Sequence, residues 1–371
     1  MSTIGFVSSY APTLCGLATF TGSLYAELVT AGGATPRVVR VVDSPQKRPA
    51  PEVVAELVAG DPTSAVRSAA ALGQCDVVIV QHEYGIYGGA DGVEILPFLG
   101  ALTSPVIVVF HTVLSAPTEH QRTVLESVAA LADAVVVMTV TARDRLETLY
   151  DVPVDKVTVI PHGAPPVRAS AAALFRSTQP TILTWGLIGP GKGIEWGIAA
   201  MGLLRDVSPM PRYVVAGQTH PKVLLREGEA YRENLVRQVR DLGLSDSVVL
   251  DNHYRHSAAL AELVSSADVV LLPYDAVDQV TSGVLIEAVA AGKPVVATRF
   301  AHAVELLSSG GGILVPHKDP SAIAAALREV LVRRSTGFGT ARPTPPDLLW
   351  PAVADRYRAL ARLLIRARVA A

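Results

Sequence analysis

The chain has 371 residues, half of them apolar and 18% charged, with a formal net charge of −2. That length exceeds one ordinary core, so two domains are expected; the near balance of 32 basic and 34 acidic residues argues against nucleic acid as partner and leaves a small molecule as the simplest ligand. Cys15 and Cys75 are too few for a disulfide framework, no basic-then-apolar leader opens the sequence, and no apolar run reaches the ~18 residues of a membrane span, so a soluble, cytoplasmic protein is expected.

In chain order, short β-branched runs stand at 4–7, 38–42, 77–80, 106–110, 134–138 and 157–160, then at 181–184, 213–216, 248–250, 269–272 and 295–297, with helical stretches between them. Their apolar character is continuous rather than alternating, as a parallel sheet covered on both faces requires. The expected fold is α/β, with two doubly wound, Rossmann-like parallel-sheet domains facing a cleft. The Pro-, Ala- and Ser-rich stretch 161–180 is the expected linker, dividing the chain into 1–168, 169–345 and a final helical segment, 346–371, that packs back toward the first domain.

Ligands of such sheets bind beyond the carboxyl ends of the strands. After the run 4–7, Gly16 precedes a helical pattern beginning near Ala18, where it would let an anion approach the helix N-terminus; an ordinary turn glycine is the alternative. The run 77–80 leads into Gln81, His82, Glu83 and Tyr84, and the run 106–110 leads into His111. One strand-end histidine can belong to a core, but two on successive runs point toward one crevice, as acceptor-side and reaction-centre groups.

The run 181–184 leads into Gly186-Leu187-Ile188-Gly189-Pro190-Gly191-Lys192-Gly193, a flexible turn with one point charge ahead of a helix near Ile194, which suits a diphosphate. A nucleoside-triphosphatase loop would place Ser or Thr after the lysine, and Gly193 stands there instead. Further on, Thr281 or Ser282 can cap a helix, leaving the amides of Gly283, Val284 and Leu285 as donors for a pyrophosphate. Glu287 follows about one turn later, ~5–7 Å along the axis, where its carboxylate could accept both hydroxyls of a ribose. An internal ion pair is the alternative for that acid. The helix is expected to stop at Gly292, with Lys293 at its negative end. In the last segment Arg358, Arg362 and Arg366 stand four apart, opposite Leu360, Leu363 and Leu364. A docked helix with a solvated basic stripe and weak peripheral contact with anionic lipid at the inner face of a membrane are both open readings.

In this order the features resemble the GT-B fold retaining glycosyltransferases, specifically glycosyltransferase family 4. The carriers of the resemblance are Gly16, His111, the glycine turn 186–193 and, most specifically, the stretch Glu287 to Val296. It implies a hexosyltransferase, glucose or mannose being the usual sugars, that takes its donor from a UDP or GDP sugar with retention of configuration and needs no other cofactor. It implies Glu287 on the ribose, Gly186, Lys192, Ser282, Gly283, Val284 and Leu285 around the phosphates, Tyr254 by the base, and His111 beside the transferred sugar. Gln81, His82, Glu83 and Tyr84 would shape the acceptor side. No Asp-x-Asp pair occurs to hold a metal. The family's first acid of its Glu-x7-Glu pair is Gln279 here, a further donor-site and catalytic candidate, and its frequent Gly-Arg is Gly186-Leu187. A nucleotide-sugar epimerase of the same fold and a non-catalytic sugar-nucleotide binder are the competing expectations. The oligomeric state is open.

Overall fold

The structure is a computed structural model that describes residues 2–30, 32, 36–46, 50–166, 179–255, 257–308, 310–335 and 345–370. Contacts divide the chain into one unit of Met1–Gly163 with Asp347–Ala371 and a second of Ala164–Pro346. The expected boundary at 168/169, with most of the linker stretch, lies outside the described residues.

The first unit is a seven-stranded parallel sheet in the order β3-β2-β1-β4-β5-β6-β7. Its strands are β1 (Ile4–Ser8), β2 (Arg37–Val42), β3 (Val53–Val58), β4 (Val77–His82), β5 (Val106–Phe110), β6 (Ala134–Val137) and β7 (Val157–Val159). The second unit repeats the plan with six strands in the order β10-β9-β8-β11-β12-β13. These are β8 (Thr181–Trp185), β9 (Arg212–Ala216), β10 (Val248–Asp251), β11 (Val269–Leu272), β12 (Val295–Thr298) and β13 (Gly312–Val315). Every residue of the central strands β1, β4, β5, β11 and β12 is buried, which is why their sequences run apolar without alternation.

Two strands exceed the sequence expectation, and both lie at sheet edges. β3 carries Glu56, which pairs with the fully buried Arg40 of β2, and β13 is a short Gly-Ile-Leu-Val run that is buried only at its last residue. An edge strand lies half in solvent, so its apolar signal is diluted. Helix α1 (Gly16–Thr30) begins at Gly16 itself, two residues before the expected start.

The last helix, α13 (Trp350–Ala370), belongs to the first unit, where Trp350, Val353, Ala354, Tyr357 and Ala361 join the core of β1, β4 and α1. Leu360, Leu364 and Ile365 pack beside them, but Leu363 is 63% exposed and does not share the apolar face expected of it. At ~100° per residue it projects about 120° away from Tyr357, on the side of Arg362 and Arg366. Arg358 is half-buried and pairs with Asp355. No helix among the described residues is long and apolar enough to cross a membrane.

Candidate functional site

In the second unit the strand order reverses between β8 and β11, so the segments leaving these two strands form the crevice. The segment after β8 is the glycine turn. Gly186, Gly191 and Gly193 have φ of 114°, 86° and 61°, and a Cβ on Gly193 would lie 1.8 Å from the Pro273 carbonyl oxygen. Only glycine permits that approach, and it seats the turn against the segment that leaves β11. Asp275 N–H donates to the Gly191 carbonyl at 2.9 Å and closes the same contact from the other side. Between the two clamped glycines, Lys192 lays its ammonium group over the Tyr274 ring, 4.3 Å from the centroid. Among the described residues no carboxylate pairs with it, and burial pulls it down to about 8.

The segment after β11 runs into α10 (Gly283–Ala290). Ser282 is the N-cap, and its hydroxyl accepts the Leu285 amide at 3.2 Å. Leu285 is therefore not an open donor, contrary to expectation, because its own cap consumes it; the amides of Gly283 and Val284 have no partner among the described residues, at the positive end of the helix. Gly186 lies beside them, since a Cβ there would stand 3.6 Å from Val284 Cγ2. The loop before the cap is fastened from within: Gln279 Nε2 donates to the Thr281 carbonyl at 3.0 Å, and His302 Nδ1 accepts the Ser282 amide at 2.8 Å.

Glu287 sits one turn into α10 and accepts from Trp185 Nε1, the last residue of β8, at 3.3 Å. No basic side chain among the described residues pairs with it, so the internal ion pair is not formed. Burial pushes its carboxyl up to about 7, against a smaller pull downward from the indole bond. The helix ends as expected, with Gly292 at φ 64°, but Lys293 turns away from it. Its ammonium donates to the carbonyls of Ser265 and Ala267, at the end of the neighbouring helix α9 (Ser257–Ser266), whose unpaired carbonyls lie within reach. Tyr254 follows β10 at the sheet edge, two strands from β8.

In the first unit the order reverses between β1 and β4. Gln81 and His82 are the last residues of β4, and alternation sends them to opposite faces. Gln81 Oε1 accepts from His111 Nε2 at 2.7 Å, which fixes the imidazole with its other nitrogen as acceptor. The Phe20 ring meets His111 edge-on at 5.1 Å, and desolvation together with nearby His162 and His82 pulls His111 down to about 3. His82 is thus close enough to His111 to disfavour a charge there. It is fully buried, walled in by Phe110 at 5.0 Å, Tyr84 at 5.4 Å and Tyr87 at 6.3 Å, and burial pulls it down to about 3 as well. Of the acceptor-side candidates, Glu83 accepts from Thr112 Oγ1, and Tyr84 donates to the Gln121 carbonyl at 3.3 Å. Both remain half-buried. Gly16 starts α1, and a Cβ placed there would meet no atom within 4 Å, so the fold itself does not demand a glycine at that position.

Each half of the chain matches a described family: residues 23–168 match "Glycosyltransferase Family 4" and residues 179–333 match "Glycosyl transferases group 1". The chain belongs to the GT-B glycosyltransferases. No curated protein sequence matches it. Among solved structures, this glycosyltransferase is similar to sucrose-phosphate synthase from Thermosynechococcus elongatus, 19% identical over 99% of this chain and 100% of that one, with a TM-score of 0.72. A glycosyltransferase from Rickettsia africae is 15% identical over 98% of each chain at a TM-score of 0.75. Anabaena HepE, solved with UDP and glucose, is 15% identical over 100% of each chain at 0.71.

Three residues of the second unit's site escaped the sequence reading of this glycosyltransferase. Trp185 and Tyr274 stand at or just past strand ends, so the rule that led to His111 could have found them. His302 comes from α11 (Ala301–Leu307), beyond the next strand, and no local pattern marks it.

Proposed function

We propose that this glycosyltransferase moves a hexosyl group from a nucleotide-diphosphate sugar to an acceptor hydroxyl, with retention of configuration and without a metal. The observation that carries the reading is the grouping at α10, among the described residues, of two helix amides without partners, a lysine without a carboxylate on the adjoining glycine turn, and an acid without a basic partner one turn further in. The diphosphate takes the Gly283 and Val284 amides and the Lys192 charge, and these stabilise the negative charge that builds up as the sugar departs. Glu287 takes the ribose hydroxyls, and Tyr254 lies toward the base.

Gln279 keeps its amide oxygen for a sugar hydroxyl while its nitrogen holds the loop. His111 serves the reaction centre, Gly16 belongs to the donor side, and Gln81, His82, Glu83 and Tyr84 shape the acceptor side. UDP leads GDP as the carrier because HepE was solved with UDP-glucose and with UDP. We also propose weak contact of Arg362, Leu363 and Arg366 with an anionic membrane surface, which sedimentation with anionic against neutral vesicles tests.

The test of the main reading is a thermal-shift panel of UDP, GDP, ADP and their glucose and mannose conjugates, since a ligand of the folded state raises Tm. A stabilising sugar nucleotide is then offered to hydroxyl acceptors with a chelator present, and the product's anomeric configuration is read by NMR. No stabilisation by any member overturns the reading.

A further inference from the structure

A buried lysine is usually neutralised by a carboxylate, because an unpaired charge away from water is costly. At Lys192 that arrangement would be self-defeating. A carboxylate bound to the ammonium would occupy the position where a phosphate must arrive and would repel it. The structure meets the requirement differently, with an aromatic face, which attracts a cation while carrying no net charge.

The neighbouring carboxylates each accept from a tryptophan indole N–H. Asp275, next to Tyr274, gives its carboxylate to Trp196 Nε1 at 3.0 Å. Glu287 is bound to Trp185. His220, whose charged form Lys192 disfavours, accepts the Lys222 amide with Nδ1 at 3.2 Å and is itself pulled down, chiefly by burial.

The ring is held rigidly. Tyr274 is 1% exposed and stacks on Phe300 at 5.1 Å with an interplanar angle of 31°. Its carbonyl accepts from Thr298 Oγ1 at 2.6 Å and His317 Nδ1 at 2.8 Å. Its two chain neighbours grip the two chain neighbours of Lys192: Pro273 abuts Gly193, and Asp275 bonds Gly191. Backbone clamp and ring face therefore fix the same lysine from two directions.

We propose that Tyr274 is the positioning residue for Lys192, its ring face holding the ammonium unpaired at the glycine turn so that the charge is ready for a diphosphate. Lys192 is the one charged residue of the turn 186–193, so its placement decides where the turn presents its charge. The inference rests on the nucleotide-sugar reading given above.

The experiment measures binding of UDP and GDP beside uridine and guanosine by calorimetry, in wild type, Tyr274→Phe, Tyr274→Leu, Lys192→Ala and the double variant of Lys192→Ala with Tyr274→Leu. Tyr274→Leu should lose about tenfold in diphosphate affinity while nucleoside affinity stays unchanged, and Tyr274→Phe, which keeps the face, should stay within about twofold of wild type. In the Lys192→Ala background the leucine change should cost nothing more, because the two residues act as one unit. Full diphosphate affinity in Tyr274→Leu, an equal loss in Tyr274→Phe, parallel loss of nucleoside binding, or additive losses in the cycle would each overturn the positioning role and leave the nucleotide-sugar reading standing. Wild-type protein that binds neither diphosphate overturns both. If Tyr274→Leu does not fold, the phenylalanine variant and the pH dependence of UDP binding in wild type against Tyr274→Phe decide: an unchanged profile supports the ring, and a shifted one overturns it.

Discussion

Trp185 Nε1 donates to Glu287 Oε2 across 3.3 Å, joining the last residue of β8 to the first acid of α10. One neutral donor does not offset the desolvation of a carboxylate, and so Glu287 rises to about 7. A folded-state value above the unfolded one means that the native protein binds the extra proton. Its contribution to stability is present below about 4.5 and is lost as pH rises through about 7. Glu287→Gln, which mimics the protonated form, should therefore leave Tm nearly unchanged at pH 4.5 and raise it at pH 8.5, by an amount on the order of 3 kcal/mol in stability. Equal Tm values at both pH values would show that the acid is well solvated.

The same residue governs ligand binding with the opposite sign. Ribose hydroxyls donate to a carboxylate better than to a carboxylic acid, so UDP should bind more tightly as pH rises through about 7. Calorimetry in buffers of different ionisation enthalpy should register proton release on binding, and Glu287→Ala should weaken UDP by roughly tenfold or more. Unchanged affinity in that variant would remove Glu287 from the ribose.

The expected two-domain α/β fold was legible because parallel strands buried on both faces must be written as unbroken β-branched runs, as at Val77–Val80 and Val269–Leu272. The edge strands β3 and β13 were not, because half their surface is wet. Glu287 and Ser282 stood out as polar residues in an apolar helix. What local sequence does not reveal is which partner consumes a polar group. Lys293 turns to α9, and His82 is enclosed in part by Phe110 of β5, outcomes that depend on neighbours distant in sequence. The Leu285 amide is a local matter, taken by its cap Ser282 three residues earlier.

Lys192 should be charged in the free enzyme below about pH 8 and lose its proton above. kcat/KM should then fall on the alkaline side of that value. Lys192→Ala should lower kcat by about 10²–10³-fold, the scale of removing a preorganised electrostatic donor. Steady-state rates at saturating donor check this, and a wild-type kcat would place the charge elsewhere.

His111 at about 3 is neutral throughout the working range, so it acts as a hydrogen-bonding group rather than a cation. Any acid limb in kcat/KM near pH 7 belongs to Glu287. It should persist in His111→Ala and disappear in Glu287→Gln. His111→Ala should cut transfer by at least about tenfold while UDP affinity stays within about twofold, and equal loss of both would move His111 away from the reaction centre.

Trp350 ties the C-terminal helix to the residues around His111. Its ring meets Phe20 at 5.1 Å and His162 at 5.5 Å, and it lies so close over Gly163 that a Cβ there would stand 2.2 Å from the indole. His162, pulled down to about 4 by burial, in turn lies near His111. Trp350→Ala opens a cavity that these rings cannot close, at a cost of about 3–5 kcal/mol. Tm should fall by several degrees and α13 should become a preferred site of limited proteolysis. Because Phe20 and His162 support His111, transfer should fall together with stability at a temperature where the variant is still folded. Nucleotide affinity should hold, since the α10 site is built entirely within the second unit. Loss of UDP binding in the folded variant would break that division of labour between the two units.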